Sequence, residues 1–480
     1  MLLALLTAVY VVCAFALTAF ALGTTVLLIA YLRYRNEVVT PLQLHNFPTV
    51  AVQLPIYNEL FVVERLLHAV AALDYPRDRL WIQILDDSTD STTELVARTV
   101  AALQQQGVNI AHVRRPNREG YKAGALAYGM TLLNVEYIAV LDADFVPQPD
   151  FLQRTVAFLV SNPKIGMVQT RWGHLNPDDN ALTKGQALAL DGHFVVEQTA
   201  RSRAGLLMNF NGSGGVWRVN AINEAGGWRD ETLTEDLDLS YRAQLLGWRF
   251  AYMPDVVVPG ELPEHIAAYK QQQARWAKGG TQVFRLMIFP VWRHPRLTLG
   301  QRLMATMHLC QYLVNPVIML MILLTPPLLI MHAIQHLSLG VLGLVGLFPP
   351  LLYIISQQAL YGNWKQKILA LPALVALGTG MAWSNSRAVI SGLLNRREEF
   401  KRTPKFASVK ARNPNGYGGL MKQRGFLWEV LFSAYALWGV WVAARYAPGY
   451  IPYLLVYAVA FGVMAYWGAR DALGFGTRTQ

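Results

Sequence analysis

Four short motifs in the middle of the chain have residue types and spacing that suit work on a phosphorylated substrate. They are Asp86-Asp87, Asp142-Ala143-Asp144, Thr234-Glu235-Asp236 and Gln272-Gln273-Ala274-Arg275-Trp276. Asp142 and Asp144 follow the apolar run Tyr137–Leu141. Strand alternation points their carboxylates in similar directions, so they can share a hard divalent cation, Mg2+ or Mn2+, together with substrate phosphates. The plainer alternative is two solvated aspartates in a turn. Asp86-Asp87 also ends an apolar strand. Either carboxylate can accept from the N–H groups of a nucleoside base. Alternatively the run forms an Asx-turn or helix cap, a task that suits Asp90. Lys122, just before a helix, can reach a diphosphate with help from the helix N-terminus, or it is an ordinary surface lysine.

Asp236 is the candidate general base. Sugar transfer with inversion requires a carboxylate to take the proton of the acceptor hydroxyl as that oxygen attacks the anomeric carbon. Thr234 or Glu235 can cap the helix that begins there while Asp236 faces the site. Arg275 can stabilise a leaving diphosphate, and it shares a helix face with Gln272. Trp276 offers a flat apolar face to a sugar ring, or else anchors the domain at a membrane interface. The glycine-rich turn Asn209–Arg218 permits close approach of backbone to ligand, as a phosphate cradle or, preferably, as a wall along a sugar. Trp172, Phe194 and Trp228 read as core or interface. Neither G-x-x-x-x-G-K-[ST] nor G-x-G-x-x-G occurs, so metal and basic side chains must hold any phosphate.

These residues need a scaffold, and the hydrophobic pattern supplies one. Strands are expected at Val50–Pro55, Trp81–Leu85, Asn109–Val113 and Tyr137–Leu141. Helices are expected through Leu73, over Ser91–Gln106 and Ala123–Leu133, and from Thr234 to about Leu246. Such alternation indicates a mainly parallel α/β sheet. Ligands of such sheets sit beyond the carboxyl ends of the strands, where Asp86 and Asp142 both fall.

The chain has 480 residues, 53% hydrophobic and 15% charged, too apolar for an ordinary soluble enzyme. A membrane span needs about 20 apolar residues. Met1–Leu32 and Leu303–Trp364 lack Asp, Glu, Lys and Arg, and read as one span and as a hairpin turning near Gln335–Ser338. Phe426–Ala444 and Tyr450–Trp467 add two spans. A cleaved signal peptide fits the first stretch poorly, because it lacks a basic n-region and its apolar core is too long. Arg33 and Arg35 put its end in the cytoplasm by the positive-inside rule. Ile368–Ser386 is long enough to cross, but crossing would carry the basic cluster from Arg396 to Arg412 outside. It therefore reads as interfacial or re-entrant, leaving about five spans.

The expected division is an N-terminal transmembrane helix (1–32), a cytoplasmic catalytic domain (33–302), a transmembrane hairpin (303–364), interfacial helices with a loop segment (365–424), and a C-terminal hairpin with a short tail (425–480). The net charge of +11 suits positive-inside bias, contact with anionic membrane lipids and an anionic nucleotide substrate. No fold signature of nucleic-acid binding is present. Cys13 and Cys310 fall in expected spans and imply neither disulfide nor metal chemistry.

The ordered motifs, set between terminal membrane helices, resemble those of the membrane-integrated family 2 glycosyltransferases. That group includes cellulose synthase, hyaluronan synthase and the cellulose-synthase-like glucomannan and mannan synthases. The resemblance covers about Val50 to Lys405. It implies a GT-A catalytic domain, inversion at the anomeric carbon and a divalent metal. It assigns Asp86 and Asp87 to the nucleoside, Asp142 and Asp144 to metal and diphosphate, and Asp236 to the catalytic base. Gln272, Arg275 and Trp276 would lie beside acceptor and diphosphate at the mouth of a membrane channel. Phe400-Lys401-Arg402-Thr403-Pro404-Lys405 resembles a gating loop that closes over bound donor, with Arg402 where that loop carries valine.

The expectation is thus an α/β GT-A-type domain with a mainly parallel mixed sheet, plus an α-helical transmembrane domain of about five spans and interfacial helices. The implied function is a processive synthase in the plasma or inner membrane. It would use UDP-glucose or GDP-mannose in the cytoplasm, extend a β-linked polysaccharide and pass it through its own helices. Transfer of one sugar to a lipid, as in ceramide glucosyltransferases, and a non-enzymatic transporter or scaffold are the alternatives.

Overall fold

The four strands expected from the sequence form, and they lie side by side. A computed structural model describes residues 1–37, 44–335, 337, 348–396, 403 and 425–473. The strands are β1 (Val50–Ile56), β2 (Leu80–Asp86), β3 (Ile110–Val113) and β4 (Tyr137–Val140). Three more complete the sheet: β5 (Ile165–His174), β6 (Gly215–Arg218) and β7 (Arg249–Gly260). Among the described residues the order is β3-β2-β1-β4-β6-β5-β7. The first four pair in parallel, as do β5 and β7, while β6 runs antiparallel to both β4 and β5.

A central parallel strand is covered on both faces, so it reads as a continuous apolar run. β1 is such a strand, and nearly all of it is buried. On one side of the sheet lie α2 (Val63–Ala71), α3 (Thr92–Gln105) and α5 (Phe151–Ser161), packed through Leu66, Val100 and Leu152. The other side carries α4 (Tyr121–Thr131), α8 (Val219–Glu224) and α9 (Glu235–Leu245), with Phe210, Trp217 and Trp228 in its core. Between β5 and β6, α6 (Ala181–Asp191), a π-helical segment Gly192–Gln198 and α7 (Thr199–Arg203) run on without a break. After β7 the long α10 (Ile266–Arg293) carries the Gln272–Trp276 motif.

Four described helices are long and apolar enough to cross a membrane: Leu2–Tyr34 (α1), Gln311–Ile330, Phe426–Tyr446 and Pro448–Ala472. The second is not the span expected from Leu303. α11 (Leu299–Leu309) stops at Cys310, and a 3-10 turn precedes α12 (Val314–Ile330). The reason lies in His308, which is buried and hydrogen-bonded at 2.8 Å to the hydroxyl of Tyr241 on α9. α11 therefore packs against the preceding α/β domain, although the run from Leu303 onward carries no charge. Cys310 consequently sits at the junction before the span. Of the returning half of the expected hairpin, α13 (Phe348–Leu360) is described, while 338–347 lie outside the described residues. α14 (Leu371–Gly380) and α15 (Ala382–Leu393) belong to a pair bent by 42°. α16 (Phe426–Tyr446) and α17 (Ile451–Ala472) close the chain.

Polar contacts tie the catalytic domain to several helix ends. Arg203 donates to the carbonyls of Tyr34 and Arg35 at 2.8 and 2.9 Å, at the end of α1. Lys270 pairs with Glu429 at 2.8 Å in the first turn of α16, and His265 approaches Asp471 at 3.4 Å in the last turn of α17. Both ends of the bent pair also touch the domain: Lys367 bonds Asp178 at 2.8 Å, and Arg285 donates to the Gly392 carbonyl at 3.3 Å. The Glu429 side chain is only 3% exposed. Breaking a buried pair by removing one partner costs about 3–5 kcal/mol. Glu429→Ala is therefore expected to lower the melting temperature clearly in detergent, and an unchanged temperature would deny the pair that weight.

Candidate active site

The carboxyl ends of β1, β2 and β4 open into a cavity of about 550 Å3. Its walls bring together Asp87, Lys122, Asp142, Asp144 and Asp236. Gln272, Arg275 and Trp276 from α10 line it as well, with Thr403. Residues from all four motifs, far apart in sequence, thus meet in one space, with Lys122 and Thr403 beside them. Phe400, Arg402 and Lys405 lie outside the described residues, whereas Thr403 is buried and its hydroxyl has no hydrogen-bond partner among the described residues.

Asp86 is placed differently from the expectation of a nucleoside contact. It is 2% exposed and does not line the cavity. One oxygen accepts from His112 Nε2 at 2.8 Å and the other from the Ser88 N–H at 2.8 Å. Burial pushes its carboxyl up, but the bonds from His112 and Ser88 outweigh that and bring it down to about 2. The last residue of a strand points to one face or the other, and here it points under the neighbouring β3. Asp87 takes the cavity side instead, held by both Nε and Nη2 of Arg115 at 2.8 and 2.6 Å.

Lys122 stands in the first turn of α4, behind Gly120, whose left-handed backbone (φ 68°) opens the helix. Its ammonium donates to Asp142 Oδ1 at 2.5 Å and to the Gly212 carbonyl at 2.8 Å, and lies 3.8 Å from Glu235. Burial works against its charge, but Asp142 and Glu235 outweigh that and raise the lysine further. Gly212 is a glycine of necessity. Its φ is +82°, and a Cβ there would come within 2.9 Å of Asp236 Oδ2. The glycine-rich turn therefore presses backbone against the acids, and Asn209 and Asn211 beside it line the cavity.

Asp144 is 7% exposed, and its Oδ2 accepts from the Glu261 N–H at 3.0 Å at the end of β7. Among the described residues no cluster of three or more His, Cys, Asp and Glu forms a metal cage. Two carboxylates on a cavity wall are instead a donor set that fits Mg2+ or Mn2+ completing its shell with phosphate oxygens and water.

Asp236 occupies the first turn of α9, with Oδ1 accepting from the Leu237 N–H at 2.8 Å. Burial, reinforced by Glu235, raises its carboxyl to about 7 against the pull of Lys122 and Arg275. Thr234 holds the N-cap position, but its hydroxyl makes no capping bond.

Several lining residues were not read from the sequence. The Arg118 guanidinium lies 3.3 Å from the centre of the Tyr57 ring, making a flat charged platform near Asp87. Tyr57 follows β1 at the same sheet edge, so the strand-end rule could have found it. His174, His193, Glu197 and Tyr353 carried no such signal. Trp172 and Phe194, read as core or interface, also face the cavity, with ring centres 5.1 Å apart, whereas Trp228 is core.

Residues 48–279 match the model of "Glycosyltransferase like family 2". Glucomannan 4-beta-mannosyltransferase 1 of Oryza sativa subsp. japonica is 46% identical over 261 residues, 54% of this chain and 50% of that protein. Glucomannan 4-beta-mannosyltransferase 2 of Arabidopsis thaliana is 45% identical over 256 residues, 52% of this chain and 48% of that protein. The aligned stretch thus spans about half the length of these curated relatives. A solved mannosyltransferase of Pyrobaculum calidifontis, in complex with GDP-Man and Mn2+, superposes with a TM-score of 0.56 at 22% identity, covering 82% of this chain and 100% of that one. That likeness bears on the fold, which is of the GT-A type. Residues 48–279 thus carry a family 2 glycosyltransferase domain, similar to that of the glucomannan mannosyltransferases of the cellulose-synthase-like group.

Proposed function

We propose that the protein is a membrane-embedded, inverting β-hexosyltransferase that extends a mannan- or glucomannan-type polysaccharide from a nucleotide sugar and passes the product through its own helices. The observation that carries this reading is the composition of one cavity. Its walls hold Lys122, Asp142, Asp144 and Asp236 together with Trp276, with Tyr312 just ahead of α12 and with Tyr353 of α13. GDP-mannose is the favoured donor, because the similar plant proteins carry mannosyltransferase names. The neighbour of like fold was solved with GDP-Man and Mn2+.

The nucleoside lies against Asp87 and the Tyr57–Arg118 platform. A Mg2+ or Mn2+ ion held by Asp142 and Asp144 would neutralise diphosphate charge. Lys122 and Arg275 add positive charge at the same diphosphate and favour its departure. Asp236 takes the proton of the acceptor hydroxyl. That oxygen bonds to the anomeric carbon, the bond to the diphosphate breaks, and the anomeric configuration inverts. Gln272 and Trp276 support the acceptor's terminal ring, with Thr403 on the wall of the same cavity.

In this reading the catalytic domain lies on the cytoplasmic side of a plasma or inner membrane. The end of α1 beside Arg33 and Arg35, the start of α16 and the end of α17 all meet it. In this reading the bent pair is re-entrant, entering and leaving on that same side, which its contacts to the domain at both ends support. The division at 33–302 shifts only in that α11 joins the catalytic side.

Purified protein in lipid nanodiscs, given labelled GDP-mannose, GDP-glucose and UDP-glucose in turn with Mn2+ or Mg2+, should make a polymer that an endo-β-mannanase degrades. A single glycosylated lipid would replace this reading with the lipid-transfer alternative, and no transfer from any donor would remove it. Trp276→Ala is expected to raise the acceptor KM by about 10-fold or more, the scale of a lost ring–sugar contact, with GDP affinity unchanged. An unchanged acceptor KM would return Trp276 to a membrane-anchoring role.

A further inference from the structure

The π-helical segment Gly192–Gln198 is unused by this mechanism, yet it faces the cavity. π-helical turns are rare and recur at functional sites. This one places His193 and Glu197 on the same face, both lining the cavity. His193 Nδ1 lies 2.9 Å from Glu197 Oε2, and His193 Nε2 lies 3.0 Å from Asn211 Oδ1. Asn211 is fixed in turn: its N–H donates to Gln169 Oε1 at 2.9 Å, and Asn209 Nδ2 donates to its side-chain oxygen at 3.0 Å.

The segment itself is clamped. Asp191, the residue before it, accepts from Gln357 of α13 at 2.9 Å and lies 2.9 Å from His174 Nε2. The side chains of His193 and Glu197 keep 26% and 30% exposure. Burial pushes the Glu197 carboxyl up, but the His193 bond outweighs it and holds the group below the usual carboxylate range, so it stays ionised. An ionised carboxylate and an imidazole thus sit together on a cavity wall, tied to a carboxamide.

Its place in the cavity decides what it meets. Asn211 adjoins Gly212, which touches both Lys122 and the space of Asp236. Tyr312 interacts electrostatically with both Asp236 and Glu197, and Tyr353 with Glu197. The cluster therefore lies between the proton acceptor and the membrane helices, whereas Asp87 and Arg118 lie at the nucleoside end. A carboxylate, an imidazole and a carboxamide grouped this way offer both acceptors and donors to neighbouring hydroxyls of a neutral sugar.

Building on the functional reading above, we propose that His193, Glu197 and Asn211 form the subsite that grips the acceptor's terminal hexose by the hydroxyls flanking the attacking one, and so select which hydroxyl meets Asp236. This subsite sets linkage. It also favours a sugar acceptor over water.

The test uses full-length protein in nanodiscs with a short β-linked oligosaccharide primer. Hydrogen bonds to charged groups are worth about 1.5–3 kcal/mol each. Glu197→Gln and His193→Gln should therefore raise the primer KM by about 10- to 100-fold and leave the Kd for GDP unchanged. The ratio of donor hydrolysis to transfer should rise, and linkage analysis should show mixed products. Asn211→Ser, on a different element, should do the same and covers loss of folding in either π-helix variant. Parental primer KM, hydrolysis ratio and single linkage in these variants would overturn the subsite while leaving the transferase reading intact. Failure of the parent protein to transfer at all would instead strike that reading.

Discussion

Asp236→Asn should abolish glycosyl transfer while leaving the nucleotide in place. The substitution keeps the shape of the side chain, and the Leu237 N–H can still find an acceptor oxygen. Only the ability to take a proton is lost. General-base catalysis contributes about 10^2- to 10^4-fold, so kcat should fall by that factor with little change in GDP affinity. The pH profile supplies a second readout. The base works only when ionised, and burial beside Glu235 puts its carboxyl at about 7 in the free protein. The parent's kcat/KM should therefore fall as pH drops through about 7, and the residual activity of the variant should lose that limb.

Stability should move in the opposite direction. An unfolded aspartate titrates near 3.9, so the native state holds the Asp236 proton more tightly. Stability then declines as pH rises from about 4 to 7 and stays lower above that. Asp236→Asn removes this cost. The variant should melt above the parent at pH 8, and the gap should close toward pH 4. Parental turnover in the variant would remove Asp236 from the role of base. Equal melting temperatures at pH 8 would deny its buried, strained ionisation.

How much of this was legible in sequence depended on the kind of signal. β1, β2 and β4 were readable because parallel strands covered on both faces are short apolar blocks, and the acids that follow them fall at the sheet edge. β5, β6 and β7 were not. β6 is a four-residue continuation of a glycine turn, and β7 is interrupted by Pro254 and Pro259, which mask a strand pattern. The motifs named residues that line the cavity, with Asp86 the exception. The choice between Asp86 and Asp87 depends on a strand's rotation at its last residue, which local pattern does not fix. His193 and Glu197 were invisible for a related reason. Their shared face depends on a π-helical register, and periodicity arguments assume 3.6 residues per turn. The break at Cys310 was likewise hidden, since His308 reaches Tyr241 only once α9 and α11 are packed.

Asp144→Asn should uncouple donor binding from divalent metal. Asp144 is buried and orders the end of β7 through the Glu261 N–H. An alanine there would confuse loss of fold with loss of ligand, whereas an asparagine oxygen can still accept that bond. What disappears is one of the two carboxylates that would hold the ion. Loss of a charged partner is worth about 1.5–3 kcal/mol, so Mn2+-dependent affinity for GDP-mannose should fall by about 100-fold. A chelator should inactivate the parent, and Mn2+ or Mg2+ should restore it. Neither ion should restore the variant.

Asp86→Asn provides the contrast. Its parent carboxyl sits at about 2 in the fold, below the unfolded value near 3.9. It therefore adds stability above pH 4 that is lost as pH falls toward 2. That variant should melt earlier at neutral pH yet keep the parent's metal response, because its oxygens are turned to His112 and Ser88 rather than to the cavity. If Asp86→Asn lost metal-dependent binding while Asp144→Asn kept it, the assignment of the two strand-end acids would have to be exchanged.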